Sequence, residues 1–228
     1  MKRLQMLRSG NFADSNRRTL NHYFVSDVLT EKRLIAVGGS GVIRTSTNGI
    51  IWSGIISGTT QTLFGITRSP SIFIIVGTNG TILTSADSIV WTARTSGTIQ
   101  GLRGIIWSGT QFVAVGSNGV ILTSPDGITW TARTSGTTNF LYSVYWSSRG
   151  SIMLASGFNG VLLASDINAI NWTLRNSSTT HHLSGIGEIN DLFVITGNNG
   201  TIISSVDTLT WTSRVSGTTF YLYNFISF

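Results

Sequence analysis

A chain of 228 residues with 41% hydrophobic and 11% charged side chains is long enough to bury a large core and too apolar to stay disordered. The absence of cysteine excludes disulfides and thiolate chemistry, and the longest aliphatic and aromatic run, Ile72 to Val76, is far too short to span a bilayer. The net charge of +6 is concentrated at the start, where Lys2, Arg3, Arg8, Arg17, Arg18, Lys32 and Arg33 outweigh Asp14, Asp27 and Glu31.

Residues 1–21 form a basic head. It has no apolar stretch of the kind a secretory leader needs, so synthesis in the cytoplasm without a signal peptide is expected. It also lacks a block of five like charges and any interleaving of basic with aromatic residues, which argues against nucleic acid as a partner. Within it, Met6 to Gly10 echoes a segment that recurs later as Ala132 to Gly136 and is read as a stray outer strand.

From residue 22 the chain repeats. Aligning on the second glycine of a G-x-N-G segment gives Gly41, Gly80, Gly119, Gly160 and Gly200, and the tryptophans Trp52, Trp91, Trp130, Trp172 and Trp211 keep step. A period near forty residues, with short apolar runs, many Gly, Ser, Thr and Asn, and no 3.6-residue spacing, predicts an all-β propeller of about five four-stranded blades. The blades are expected over residues 22–58, 63–97, 102–136, 141–178 and 183–217. In the third, strand A is Leu102 to Trp107, B is Gln111 to Val115, C is Val120 to Thr123 and D is Ile128 to Thr134. Ser117-Asn118-Gly119 and Ser124-Pro125-Asp126-Gly127 supply the turns. The first blade begins with Phe24 to Leu29 as its strand A. Residues 218–228 align with strand A and then stop, giving a spare strand at each terminus that serves ring closure or contact with another subunit.

The C-to-D segments repeat a Ser-x-Asp pattern followed by an aromatic: Ser85, Asp87 and Trp91; Ser124, Asp126 and Trp130; Ser205, Asp207 and Trp211. An Asp at such a position accepts hydrogen bonds from turn amides, and the indole is expected to face an adjoining blade. These segments resemble the Asp-box of the sialidase-like, or BNR-repeat, propellers. They are one residue shorter than the usual S-x-D-x-G-x-x-W, and the first carries Asn48 in place of Asp. The full line V-G-x-N-G-x-I-L-T-S-x-D-G-x-x-W-T is similar to repeats of the photosystem II stability/assembly-factor group and of many bacterial and phage-encoded proteins. The resemblance covers residues 22 to 217 and implies the propeller fold.

One side of such a disc gathers the D-to-A and B-to-C loops. Just before strand A, the equivalent positions His22, Gln61, Gln100, Asn139 and His181, with Phe220 in the tail, are expected to ring the mouth of the central channel and present donors and acceptors to a ligand. Arg94, Arg133, Arg175 and Arg214 share one position on the outer strand, where charge blocks strand addition. The small residues Gly65, Gly104, Ser143 and Gly185 in mid-strand A are attributed to crowding near the axis. Glu31 and Glu188 are the only glutamates, and no pair of carboxyls facing one bond is legible, so no enzyme activity, metal or cofactor is expected. The sequence reads as a non-enzymatic binding or structural module, with a phage or virus particle component as the leading case. A protein partner or self-assembly is expected, with Phe140 and Tyr221 as aromatics for a glycan in the lectin alternative and a membrane-complex assembly factor as a further one.

Overall fold

The structure, a computed structural model, describes residues 33–224. The basic head, the expected strands Met6 to Gly10 and Phe24 to Leu29, His22, and Phe225 to Phe228 lie outside the described residues. Five antiparallel sheets follow one another along the chain, each a meander whose strands pair in sequence order. The first has three described strands, β1 (Leu34–Val37), β2 (Ile43–Ser46) and β3 (Ser53–Ile55). The second contains β4 (Leu63–Arg68), β5 (Phe73–Gly77), β6 (Ile82–Ser85) and β7 (Thr92–Arg94). The third contains β8 (Leu102–Trp107), β9 (Phe112–Gly116), β10 (Ile121–Ser124) and β11 (Thr131–Arg133). The fourth contains β12 (Leu141–Ser147), β13 (Ile152–Gly157), β14 (Leu162–Asp166) and β15 (Thr173–Leu174). The fifth contains β16 (Leu183–Ile189), β17 (Leu192–Gly197), β18 (Ile202–Ser205) and β19 (Thr212–Arg214).

The second and third strands of the middle sheets are buried at almost every position because both faces are covered, the second strands mainly by apolar residues and the third by Ile and Leu followed by small Thr and Ser. All five residues of β5 and of β9 are buried. The sheets stack face to face in chain order, with one apolar core between each adjacent pair. Ile35, Val37 and Ile43 of the first sheet meet Leu63, Ile66, Phe73, Ile75 and Leu83 of the second, and the same arrangement recurs between the second and third, third and fourth, and fourth and fifth sheets. The first strands of successive sheets also touch, β4 to β8, β8 to β12 and β12 to β16, so they form the inner surface of the stack.

The repeated tryptophan belongs to the core on the preceding side. Trp91 packs with the first sheet, Trp130 with the second, Trp172 with the third and Trp211 with the fourth. Trp172 and Trp211 are 8% and 5% exposed, whereas Trp52, which has no described sheet in front of it, is 39% exposed. That leading face differs chemically as well. At the position of Leu83, Leu122, Leu163 and Ile203 the first sheet carries exposed Arg44, whose guanidinium lies over Gly54 where a Cβ would be 2.7 Å from Nη1.

Strand D is shorter than the sequence suggests: in the third sheet it starts at Thr131, not Ile128. Asp126 is the reason. Its Oδ1 accepts the amides of Ile128 at 2.8 Å and Thr129 at 2.9 Å, which bends these residues into the hairpin and away from the ladder. Asp87 and Asp207 do the same, and Asn48 makes the equivalent bonds to Ile50 and Ile51 in the first sheet. The tail after Thr218 follows the path of a first strand: Leu222 N–H donates to Gly197 O as Leu63 N–H does to Gly38 O. No described strand lies outside it to complete a ladder, so residues 221–224 are not in regular strand.

Candidate binding face

One side of the stack is made of B-to-C and D-to-A loops that hold one another. In the third sheet Asn118 and Gly119 both adopt positive φ, 54° and 65°, which closes the B-to-C turn. The Thr137 carbonyl of the D-to-A loop sits directly on Gly119, where a Cβ would be only 1.9 Å away. The four other repeats do likewise, with Thr59, Thr98, Thr179 and Thr218 over Gly41, Gly80, Gly160 and Gly200. The S-G-T-T signature holds that carbonyl in place. Ser135 Oγ donates to Thr137 O and accepts from Thr137 N–H, while Thr137 Oγ1 accepts the N–H of Asn139.

That last bond fixes the backbone of the polar positions named above. Gln61, Gln100, Asn139 and His181 each donate their N–H to the threonine two residues earlier, as does Phe220. Two of the side chains fold onto their own sheet's B-to-C loop. Gln61 Oε1 accepts from Thr78 Oγ1 at 2.8 Å and Asn79 Nδ2 at 2.9 Å. His181 pairs with Thr201 Oγ1 at 2.7 Å and Asn199 Nδ2 at 3.3 Å. Gln100 borders an open groove of about 670 Å³ with Asn118, Gly119 and Arg133. Grooves of about 760 Å³ and 710 Å³ recur at the second and fifth sheets, the latter lined by His181.

The inner surface is set by a bulge near the start of each first strand. The register slips between Leu63 and Gly65, Leu102 and Gly104, Leu141 and Ser143, and Leu183 and Gly185, leaving Phe64, Arg103, Tyr142 and Ser184 unpaired in the ladder. A bulge re-aims the extra residue, here toward the neighbouring first strand. Arg103 Cζ stands 4.2 Å from the centroid of the Phe64 ring. Burial lowers the Arg103 pKa below its ordinary value, and the phenols of Tyr142 and Tyr221 lie close enough to act on it electrostatically. Burial also raises the pKa of Tyr142 and Tyr221. Tyr142 packs against Phe140 in a tilted pair, 4.8 Å between centroids, and Tyr221 stacks on Tyr223 at 4.3 Å. The small residues keep this surface close-packed: a Cβ on Gly65 would be 3.1 Å from Arg103 O, and one on Gly104 3.2 Å from Tyr142 O.

Each described carboxylate has local partners. Asp87, Asp126 and Asp207 bind turn amides, and those bonds lower their pKa values. Glu188 accepts from Ser147 Oγ at 2.6 Å and from Arg149 Nε at 2.8 Å, Asp191 pairs with Arg149 Nη1, and Asp166 bonds Asn168. Among the described residues no group of three His, Asp or Glu is placed to hold a metal, and no helix is long and apolar enough to cross a membrane.

No family model and no curated protein matches the chain. Solved structures do. YCF48 from Cyanidioschyzon merolae superposes with a TM-score of 0.67 at 18% identity, over 86% of this chain and 73% of that one. A structure of YCF48 bound to D1 peptide gives 0.65 at 15%, over 86% and 67%. The GH74 enzyme of Niastella koreensis gives 0.66 at 17%, with 81% of this chain covering only 36% of that one. The chain is a β-propeller.

Its blades therefore converge on an axis along their first strands, and the polar loops form one rim of the propeller. Of the inner residues, Tyr221 was picked out from the sequence only as a glycan aromatic, and Phe64, Arg103 and Tyr142 were not singled out. The signal was available: aligning the repeats on the leucine that opens strand A puts Phe64, Arg103, Tyr142, Ser184 and Tyr223 in one column, and Arg103 is its only charged member. The outer arginines are also placed differently from a free charged edge. Arg94, Arg133 and Arg214 turn back so that Nε donates to Thr84, Thr123 and Ser204 of the propeller's third strands. In the fourth blade Ala164 stands at the matching position, and the buried Arg175 Nε has no hydrogen-bond partner among the described residues.

Proposed function

We propose that this propeller is a non-enzymatic binding and assembly module that engages a protein partner on the face built from its B-to-C and D-to-A loops. The supporting observation is the interlocking of those loops, repeated blade after blade, into a rigid surface rich in hydroxyls, amides and exposed backbone. The described carboxylates, by contrast, are engaged in turns and ion pairs rather than facing one another across a cleft, which supports a non-catalytic role. One propeller of similar fold, YCF48, has been captured with a peptide of D1, and the assembly-factor reading for this chain rests on that analogy. The composition, poor in charge and rich in Thr, Ser, Asn and Gly, favours a phage or virus particle as the setting.

A glycan is the second reading, favoured by the tilted pair Phe140–Tyr142 and the stacked pair Tyr221–Tyr223, which offer aromatic surfaces. Affinity capture with the wild-type chain and with an Asn118→Arg, Asn159→Arg variant tests the main reading. The variant is expected to lose the partner while staying folded, melting somewhat below wild type because asparagine tolerates positive φ better than arginine does. Equal capture by both, or a chain that stays monomeric and retains nothing, overturns it. Saturable binding on a glycan array moves the assignment to a lectin, and turnover of a fluorogenic glycoside to an enzyme.

A further inference from the structure

We propose that the inner surface around Arg103 is a carboxylate site that receives an acidic group of a peptide partner, either an Asp or Glu side chain or a free C-terminus. The inference deepens the protein-partner reading above and rests on it. Three observations meet here. The strand bulge lifts Arg103 out of the hydrogen-bond ladder and aims it along the inner surface, at a position where the other blades carry Phe64, Tyr142 and Ser184. The guanidinium lies over the Phe64 ring, and it makes no hydrogen bond or ion pair among the described residues. Among the described residues its electrostatic neighbours are the phenols of Tyr142 and Tyr221 rather than carboxylates.

A cation partly removed from water, with no counter-charge among the described residues, is costly, so an anion arriving from solvent gains more here than at an exposed arginine. The planar fork of donors matches a carboxylate better than a point anion. The aromatic rings restrict the site further. Phe64, Phe140 and Tyr142, with Tyr221 stacked on Tyr223, offer contact to the apolar atoms that carry the acidic group, as a peptide segment does and an inorganic anion does not.

The full chain is titrated with N-acetylphenylalanine, a free C-terminal acid, and with N-acetylglutamate α-amide, a side-chain acid. Each is compared with its neutral amide, and the Arg103 Nε–H resonance is followed by NMR. At least one acid is expected to shift that resonance saturably and bind about tenfold or more tightly than its amide. Which acid does so identifies the source. Arg103→Met is expected to abolish the difference and Arg103→Lys to retain part of it. An acid and amide that bind alike on wild-type protein overturn the proposal even if Arg103→Met fails to fold. So does unchanged acid binding in a folded Arg103→Met chain. Partner capture separates the two levels of inference. If acids bind at Arg103 but no protein partner is retained, the site stands and the partner reading falls. If a partner is captured equally by wild type and folded Arg103→Met, the site falls and the partner reading stands.

Discussion

The interlocking loop face makes a sharp prediction about two glycines of the same blade. Gly119 and Gly136 have nearly the same backbone, with φ of 65° and 75°, so replacing either by alanine carries the same left-handed penalty of about 1–2 kcal/mol. Their surroundings differ completely. A Cβ on Gly136 meets nothing within 4 Å, whereas one on Gly119 falls 1.9 Å from Thr137 O and 2.8 Å from Ser135 Oγ. Relieving that overlap requires the Thr137 carbonyl to move by more than an ångström and strains its bonds to Ser135. Overpacking of this kind costs about 1–3 kcal/mol more. Gly119→Ala is therefore expected to be less stable than Gly136→Ala by about 2 kcal/mol, or about 4–8 °C in melting temperature for a domain of this size. Urea unfolding of both variants at unchanged m-value measures the difference. Equal losses would refute the claim that the D-to-A carbonyl rests on the B-to-C glycine.

The tryptophans give a second comparison: Trp211→Ala is expected to cost about 3–5 kcal/mol and Trp52→Ala roughly 2 kcal/mol or less, because the outward indole buries less area. Equal costs would contradict the packing of each indole on the blade before it. Replacing Asp87, Asp126 and Asp207 together by Asn is expected to keep the hairpins, since Asn48 already makes the same bonds, and to flatten the acid limb of stability. The sign follows from folded pKa values held below the ordinary carboxylate value: these groups stabilise above that value, and their contribution is lost as pH falls through the folded one. An acid-unfolding curve identical to wild type would contradict it. Glu188→Gln is expected to cost about 1–2 kcal/mol by weakening the Ser147 and Arg149 contacts that tie the fourth blade to the fifth; a loss that does not shrink in 1 M salt would show that charge plays no part.

The repeat period and turn residues carried most of the fold. G-x-N-G with S-G-T-T reports a close contact as well as a turn, since the glycine and the serine are both required by the same carbonyl. Strand ends were less legible: Ile128 and Thr129 look like strand residues, and only the reach of the Asp126 side chain to their amides bends them away. The candidate binding face was legible in part. Polar residues before strand A stood out by type, but two of them, Gln61 and His181, are occupied by their own loops. Arg103 was hidden by a bulge. Strict alternation along Leu102 to Trp107 gives no reason to aim it inward, and the extra residue that does so is visible only in the pairing register.

The central claim is that this propeller works through its loop rim and inner surface. Hydrogen–deuterium exchange of the chain with and without its captured partner tests that most directly. Protection is expected over residues 38–41, 57–64, 77–80, 96–103, 116–119, 135–142, 157–160, 177–184, 197–200 and 216–223, with the C-to-D hairpins around Asn48, Asp87, Asp126 and Asp207 unchanged. Protection confined to those hairpins, with the loop rim exchanging as in the free chain, would contradict it.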